Sequence, residues 1–144
     1  ERKPAAIVHA GSENFLSDEE GHVLARLGQD DNVMLPMVTG LDSRELLRGD
    51  ADVRHAVKSG VELARLVGQS IDGRLLVNAA NPANLVASVR GVQFQFGEDA
   101  VRDQWERFQR VKPSLKTVMF DGHGRGGNEI DLRYENSVIM RERG

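Results

Sequence analysis

The sequence predicts an α+β fold: a mainly antiparallel mixed β-sheet with two longer helices on one face and an open C-terminal edge strand. Three observations point there. Residues Val92 to Phe96 (VQFQF) alternate apolar and polar with period two, which is the signature of a half-buried strand. From Ala51 onward, Val53, Ala56, Val57, Val61, Ala64 and Val67 recur at steps of three and four, which is the buried stripe of a helix. The chain then ends on a second alternating run, Ile130 to Tyr134, followed by Val138 to Met140.

In chain order, Ala5 to His9, Asn14 to Ser17 and His22 to Leu27 are short apolar runs divided by turn residues, and they read as a meander of strands. Gly28 to Asn32 is a polar loop. Leu35 to Thr39 is extended, with Pro36 favouring an edge or a strand end because proline has no N–H to give to a ladder. Asp42 or Ser43 can cap a helix after Leu41. The long helix that follows is widened by Leu63 and Leu66, carries Gly60 at a cost of about 1 kcal/mol relative to alanine, and stops near Gly68.

Arg74 to Ala79 and Leu85 to Val89 read as strands joined by the turn Asn81-Pro82-Ala83-Asn84. Arg90-Gly91 leads into Val92 to Phe96. From Glu98 the stripe Val101, Trp105, Phe108 predicts a second helix, with Glu98-Asp99 suited to its N-terminus and Pro113 marking its end or a bend. Trp105 on that stripe reads as core. Thr117 to Phe120 is expected to be extended.

The length of 144 residues suits one ordinary domain, with 40% apolar and 28% charged residues describing a globular chain. The net charge of −3 is spread without a basic cluster, so no nucleic-acid footprint is visible. With no cysteine there is no thiolate nucleophile or disulfide framework. The longest uncharged stretch, Leu75 to Val89, is broken by Asn78, Asn81, Pro82 and Asn84 and does not make a membrane span.

Gly122 to Gly127, GHGRGG, satisfies G-x-G-x-x-G and raises the reading of a nucleotide- or phosphate-binding small enzyme with His123 as an acid–base group. A phosphate cradle of that kind must open a helix, whereas this run leads through Asn128-Glu129 into the alternating IDLRY. The glycines therefore read as a connection. The four histidines, His9, His22, His55 and His123, lack close ligand spacing. Asp30-Asp31 belong to a polar loop, so no metal, cofactor or catalytic residue is assigned.

Several phrases in order resemble the C-terminal β domain of the bacterial division protein family FtsQ (DivIB in some Gram-positive bacteria). They are Glu1-Arg2-Lys3-Pro4-Ala5, similar to E-R-x-P-x-A; Phe15 to Leu24 (FLSDEEGHVL), similar to a D-x-x-G-x-V hairpin; and Leu35-Pro36 with Thr39-Gly40, similar to L-P-x-[IVL]-x-G. Gly91 to Asp99 (GVQFQFGED) and Ile130-Asp131-Leu132-Arg133-Tyr134, similar to V-D-L-R-Y, complete the series. One departure is Ser137, where the family usually has glycine after its D-L-R-Y.

The resemblance implies that residues 1–144 form an FtsQ-type β domain, with a transmembrane helix and a POTRA domain upstream. The protein would be a single-pass type II inner-membrane protein with this domain periplasmic, at the division septum. It would be a non-enzymatic scaffold whose partners are FtsB and FtsL, the former adding a strand to the C-terminal edge. Carried onto this chain, that edge is Arg133, Tyr134, Asn136, Ser137 and Val138. An unpaired terminal strand offers the N–H and C=O groups such an addition needs.

Overall fold

The computed structural model describes residues 2–98, 100–120, 128–133 and 139–142, with side chains through 110 and again over 129–133. Among the described residues nine strands form one sheet. In chain order they are β1 (Ala6–Ala10), β2 (Glu13–Ser17), β3 (Val23–Leu27), β4 (Met37–Leu41), β5 (Leu76–Asn78), β6 (Leu85–Val89), β7 (Val92–Phe96), β8 (Asn128–Asp131) and β9 (Ile139–Glu142). The described residues also form three helices, α1 (Ser43–Arg48), α2 (Ala51–Gly68) and α3 (Val101–Phe120).

The spatial order is β3-β2-β1-β4-β5-β6-β7-β8-β9. Five of the pairings are antiparallel; β1 with β4, β4 with β5, and β7 with β8 are parallel. The sheet is thus mixed and mainly antiparallel, as the sequence predicts. The first three strands form the expected antiparallel meander, and β4 then returns beside β1, pairing with it in parallel. Pro36 falls just before β4, so the proline marks a strand end, and its carbonyl accepts the Ile7 amide at 2.9 Å.

Local chemistry accounts for the element ends. Asp42 caps α1 by accepting the Arg44 and Glu45 amides, and Gly49 closes it in the left-handed region at φ 74°. The β6–β7 hairpin turns on two residues, Arg90 and Gly91, both at positive φ, the geometry whose twist matches the flanking strands. At the start of α3 the Gln104 amide bonds to Ala100, while the Gln104 side chain accepts the Gly97 amide at 2.9 Å. Thr117 to Phe120, expected to be extended, is instead the last turn of α3, which continues through Pro113. A four-residue apolar run does not by itself separate strand from helix, and one proline removes a single bond from a ladder of many.

One cross-sheet row organises the core: Phe15, Val8, Val38, Val77, Ala87, Phe94 and Ile130 lie opposite one another on successive strands. All are buried. Both long helices cover this face. α2 contributes Val53, Val57, Val61, Leu63, Ala64 and Val67, and Gly60 lets it approach closely: a Cβ there would stand 3.0 Å from a Val38 methyl. α3 sets Trp105 and Phe108 against Phe94 edge-on, at ring-centroid distances of 5.2 and 5.1 Å. Trp105 is core, as its place in the stripe predicts. No helix among the described residues is long and apolar enough to cross a membrane.

Candidate functional site: the C-terminal sheet edge

The sheet has two ends, and they are finished differently. At the β3 end the core row terminates in Arg26, opposite Phe15. Its guanidinium stands 5.5 Å over the Phe15 ring and 3.3 Å from Glu13. A charge at the last position blunts an edge against further strands, because pairing would bury it. Beside it, a shallow groove lined by Phe15, Val23, Leu24, Ala25, Arg26 and Leu47 separates β3 from α1.

At the other end the row runs from Ile130 to the register position of Met140 on β9, so it reaches the outermost strand as an apolar residue. The hydrogen-bond phase of this edge follows from one contact. The Leu132 amide donates to the Gln95 carbonyl at 2.8 Å, so Leu132 and, by alternation, Ile130 turn their backbone groups toward β7. Glu129 and Asp131 then face β9 and pair with Arg141 and Ile139. By the same alternation, Met140 and Glu142 point their N–H and C=O groups away from the sheet. Among the described residues no strand meets them.

The chain leaving β8 is tied down tightly. Asp131 is fully buried, on the face opposite Ile130 and Leu132. Its Oδ1 accepts the Arg133 amide at 3.0 Å and Arg133 Nε at 2.9 Å, and its Oδ2 accepts Arg133 Nη2 at 2.6 Å. A buried carboxylate is tolerable only when paired in this way. From α3, Arg107 Nη2 donates to the Leu132 carbonyl at 2.8 Å. Asp131 and Arg107 are the residues that sequence reasoning missed. A signal existed for Asp131, because residues i and i+2 share one face of a strand and Asp131–Arg133 are an acid and a base at that spacing.

Of the five residues assigned to the partner edge, Arg133 is described and stands two residues after the end of β8. Tyr134, Asn136, Ser137 and Val138 lie outside the described residues, as does the Gly122–Gly127 loop with His123. The element following that loop is the strand β8, not a helix. Asp31 of the polar loop accepts the Gly28 amide at 2.7 Å and serves a turn.

The β2–β3 connection, the D-x-x-G phrase, is also anchored. Asp18 accepts the His22 and Glu20 amides at 2.8 and 3.0 Å and meets His22 Nδ1 at 3.1 Å. Desolvation, the largest single influence, pushes the Asp18 carboxyl up; the bonds from His22 and Glu20 together outweigh it and hold the group below the usual carboxylate range. The turn then docks on α2 through Glu19–Arg65 at 2.8 Å and Glu20–Lys58 at 3.7 Å.

Comparison with known proteins finds two similar chains. The chain is 29% identical over 127 residues to the cell division protein FtsQ of Syntrophotalea carbinolica, covering 81% of this chain and 43% of that protein. It is 24% identical over 148 residues to the cell division protein FtsQ of Geotalea daltonii, covering 99% of this chain and 52% of that protein. The chain is FtsQ-like. It spans about half the length of the curated relatives it matches, and no family model matches it. In this FtsQ-like chain the match to the first relative takes in most of the sequence, so the likeness does not rest on the C-terminal phrase alone.

Proposed function

We propose that this FtsQ-like domain acts in cell division as a non-enzymatic scaffold, taking a β-strand from FtsB at its C-terminal edge, with FtsL bound in the same assembly. The observation that carries the reading is the contrast between the two sheet ends: β3 finishes in a charge, whereas β9 finishes in an apolar register position with outward backbone groups at Met140 and Glu142. An added strand satisfies such groups at about 0.5–1.5 kcal/mol net for each bond, so side-chain contacts must supply the rest of the affinity. The segment Arg133, Tyr134, Asn136, Ser137 and Val138 supplies those contacts in this proposal, with Tyr134 as the aromatic anchor. The domain faces the periplasm, carried by an upstream transmembrane helix and POTRA domain as in the resembled family.

Titration calorimetry of the domain with the periplasmic segment of FtsB from the same bacterium tests this. Binding is expected for the unchanged chain, with Tyr134→Ala weakening it by roughly tenfold or more. Absence of binding, or equal affinity in both chains, overturns the reading.

A further inference from the structure

The backbone groups of β9 can receive a strand only if β9 is held at a defined distance and phase from β8. What holds β8's exit is not the ladder alone. Asp131 and Arg133 form a three-bond clasp across one residue, two bonds from the guanidinium fork and one from the backbone amide. Immediately between them, the Leu132 carbonyl is gripped from α3 by Arg107, while the Leu132 amide is spent on Gln95. Leu132 itself is fully buried. Three consecutive residues, 131 to 133, are thus pinned from the sheet, from the helix and from within.

We propose that Asp131 and Arg107 are positioning residues for partner recognition: they preset the direction in which the chain leaves β8, and so hold the β9 edge formed before any partner arrives. This rests on the strand-addition reading for the identity of the partner, but the preformed edge is a property of the free chain. The chemistry specifies the roles. Asp131 acts through charge and a two-oxygen fork, which asparagine cannot reproduce because one of its terminal atoms donates rather than accepts. Arg107 acts as a donor to a carbonyl, which lysine can partly replace and methionine cannot. A preset edge loses less conformational freedom on binding than one ordered by its partner. Arg133, held at its Nε and Nη2 side by Asp131 and partly exposed, is aimed by the same clasp.

The test has two arms. Hydrogen exchange on the free chain reads the amides of Ile139 to Glu142, with those of β1 and β2 as internal reference. Asp131→Asn and Arg107→Met are each expected to speed exchange in β9 roughly tenfold or more while leaving β1 and β2 unchanged; Arg107→Lys is expected to restore most of the protection. Unchanged β9 exchange in both variants overturns the proposal, whether or not FtsB binds. Calorimetry with the FtsB segment forms the second arm. Asp131→Asn and Arg107→Met are expected to weaken binding roughly tenfold, and Arg26→Met at the opposite edge to leave it unchanged. Failure of the unchanged chain to bind removes FtsB as the partner but leaves the exchange result to decide the positioning role. Should Asp131→Asn unfold, Arg107→Met and its lysine rescue decide.

Discussion

Arg26 lies over the ring of Phe15, its guanidinium carbon 5.5 Å from the centroid, at the one end of the core row where a further strand could attach beside β3. The contact is exposed and modest in energy, on the order of 0.5–1 kcal/mol. Its larger effect is on what the edge will accept.

Replacing that charge should convert one edge into the other. Arg26→Val continues the apolar row to the outer strand and is expected to increase self-association through β3. Sedimentation velocity over a concentration series reads this directly. The folded monomer should change in stability by no more than about 1 kcal/mol. A variant no more associated than the unchanged chain would show that the cation does not guard this edge.

Acid should loosen the β2–β3 turn. The Asp18 carboxyl has a lower pKa folded than unfolded, so its ionised form contributes stability that is fully present above about pH 4 and is lost as the pH falls through the folded value. Asp18→Asn is expected to be less stable than the unchanged chain at pH 7, by on the order of 1 kcal/mol, with the gap closing below about pH 4. Denaturant unfolding at pH 7, 5 and 3 checks this. A gap that stays constant over that range contradicts the linkage.

Gly60 gives a third expectation, in which propensity and packing oppose each other. Alanine in mid-helix gains about 1 kcal/mol, but here its Cβ would stand 3.0 and 3.1 Å from the two Val38 methyls. Gly60→Ala alone is therefore expected to yield no stabilisation, whereas in a Val38→Ala background it should stabilise, with a coupling of about 1 kcal/mol in a double-mutant cycle. Stabilisation of equal size in both backgrounds would mean that α2 does not need the small residue.

Much of this fold is readable from local pattern. The VQFQF alternation is β7 as observed, the stripe from Val53 to Val67 faces the core, and Trp105 is buried where its spacing places it. These elements have one wet side and one dry side, so periodicity carries their orientation. The sequence is weaker where neighbours decide. Whether β4 joins β3 or β1 depends on a non-local pairing, and the run Thr117 to Phe120 is too short for its period to be seen. Gly60 reads as a defect in a helix until Val38 is found beneath it.

The candidate site shows the same division. A terminal alternating strand is legible, but alternation assigns Asp131 to the polar, outer face, while in the fold it is buried and bonded to an arginine two residues away. The grip of Arg107 on Leu132 spans 25 residues of chain and has no local trace at all.

The position of β1 between β2 and β4 has a consequence for how the chain is made. Of its two neighbours, β1 meets the antiparallel one almost at once, across a tight turn, whereas the parallel one begins only at Met37. Until then the ribosome-bound chain displays the far side of β1, flanked by Val8 and Ile7, as an open seam. Closing it requires a crossover, the slower kind of pairing, so the span between β2 and β4 is where this sheet is most exposed to aggregation while it forms, at the opposite side of the sheet from β9.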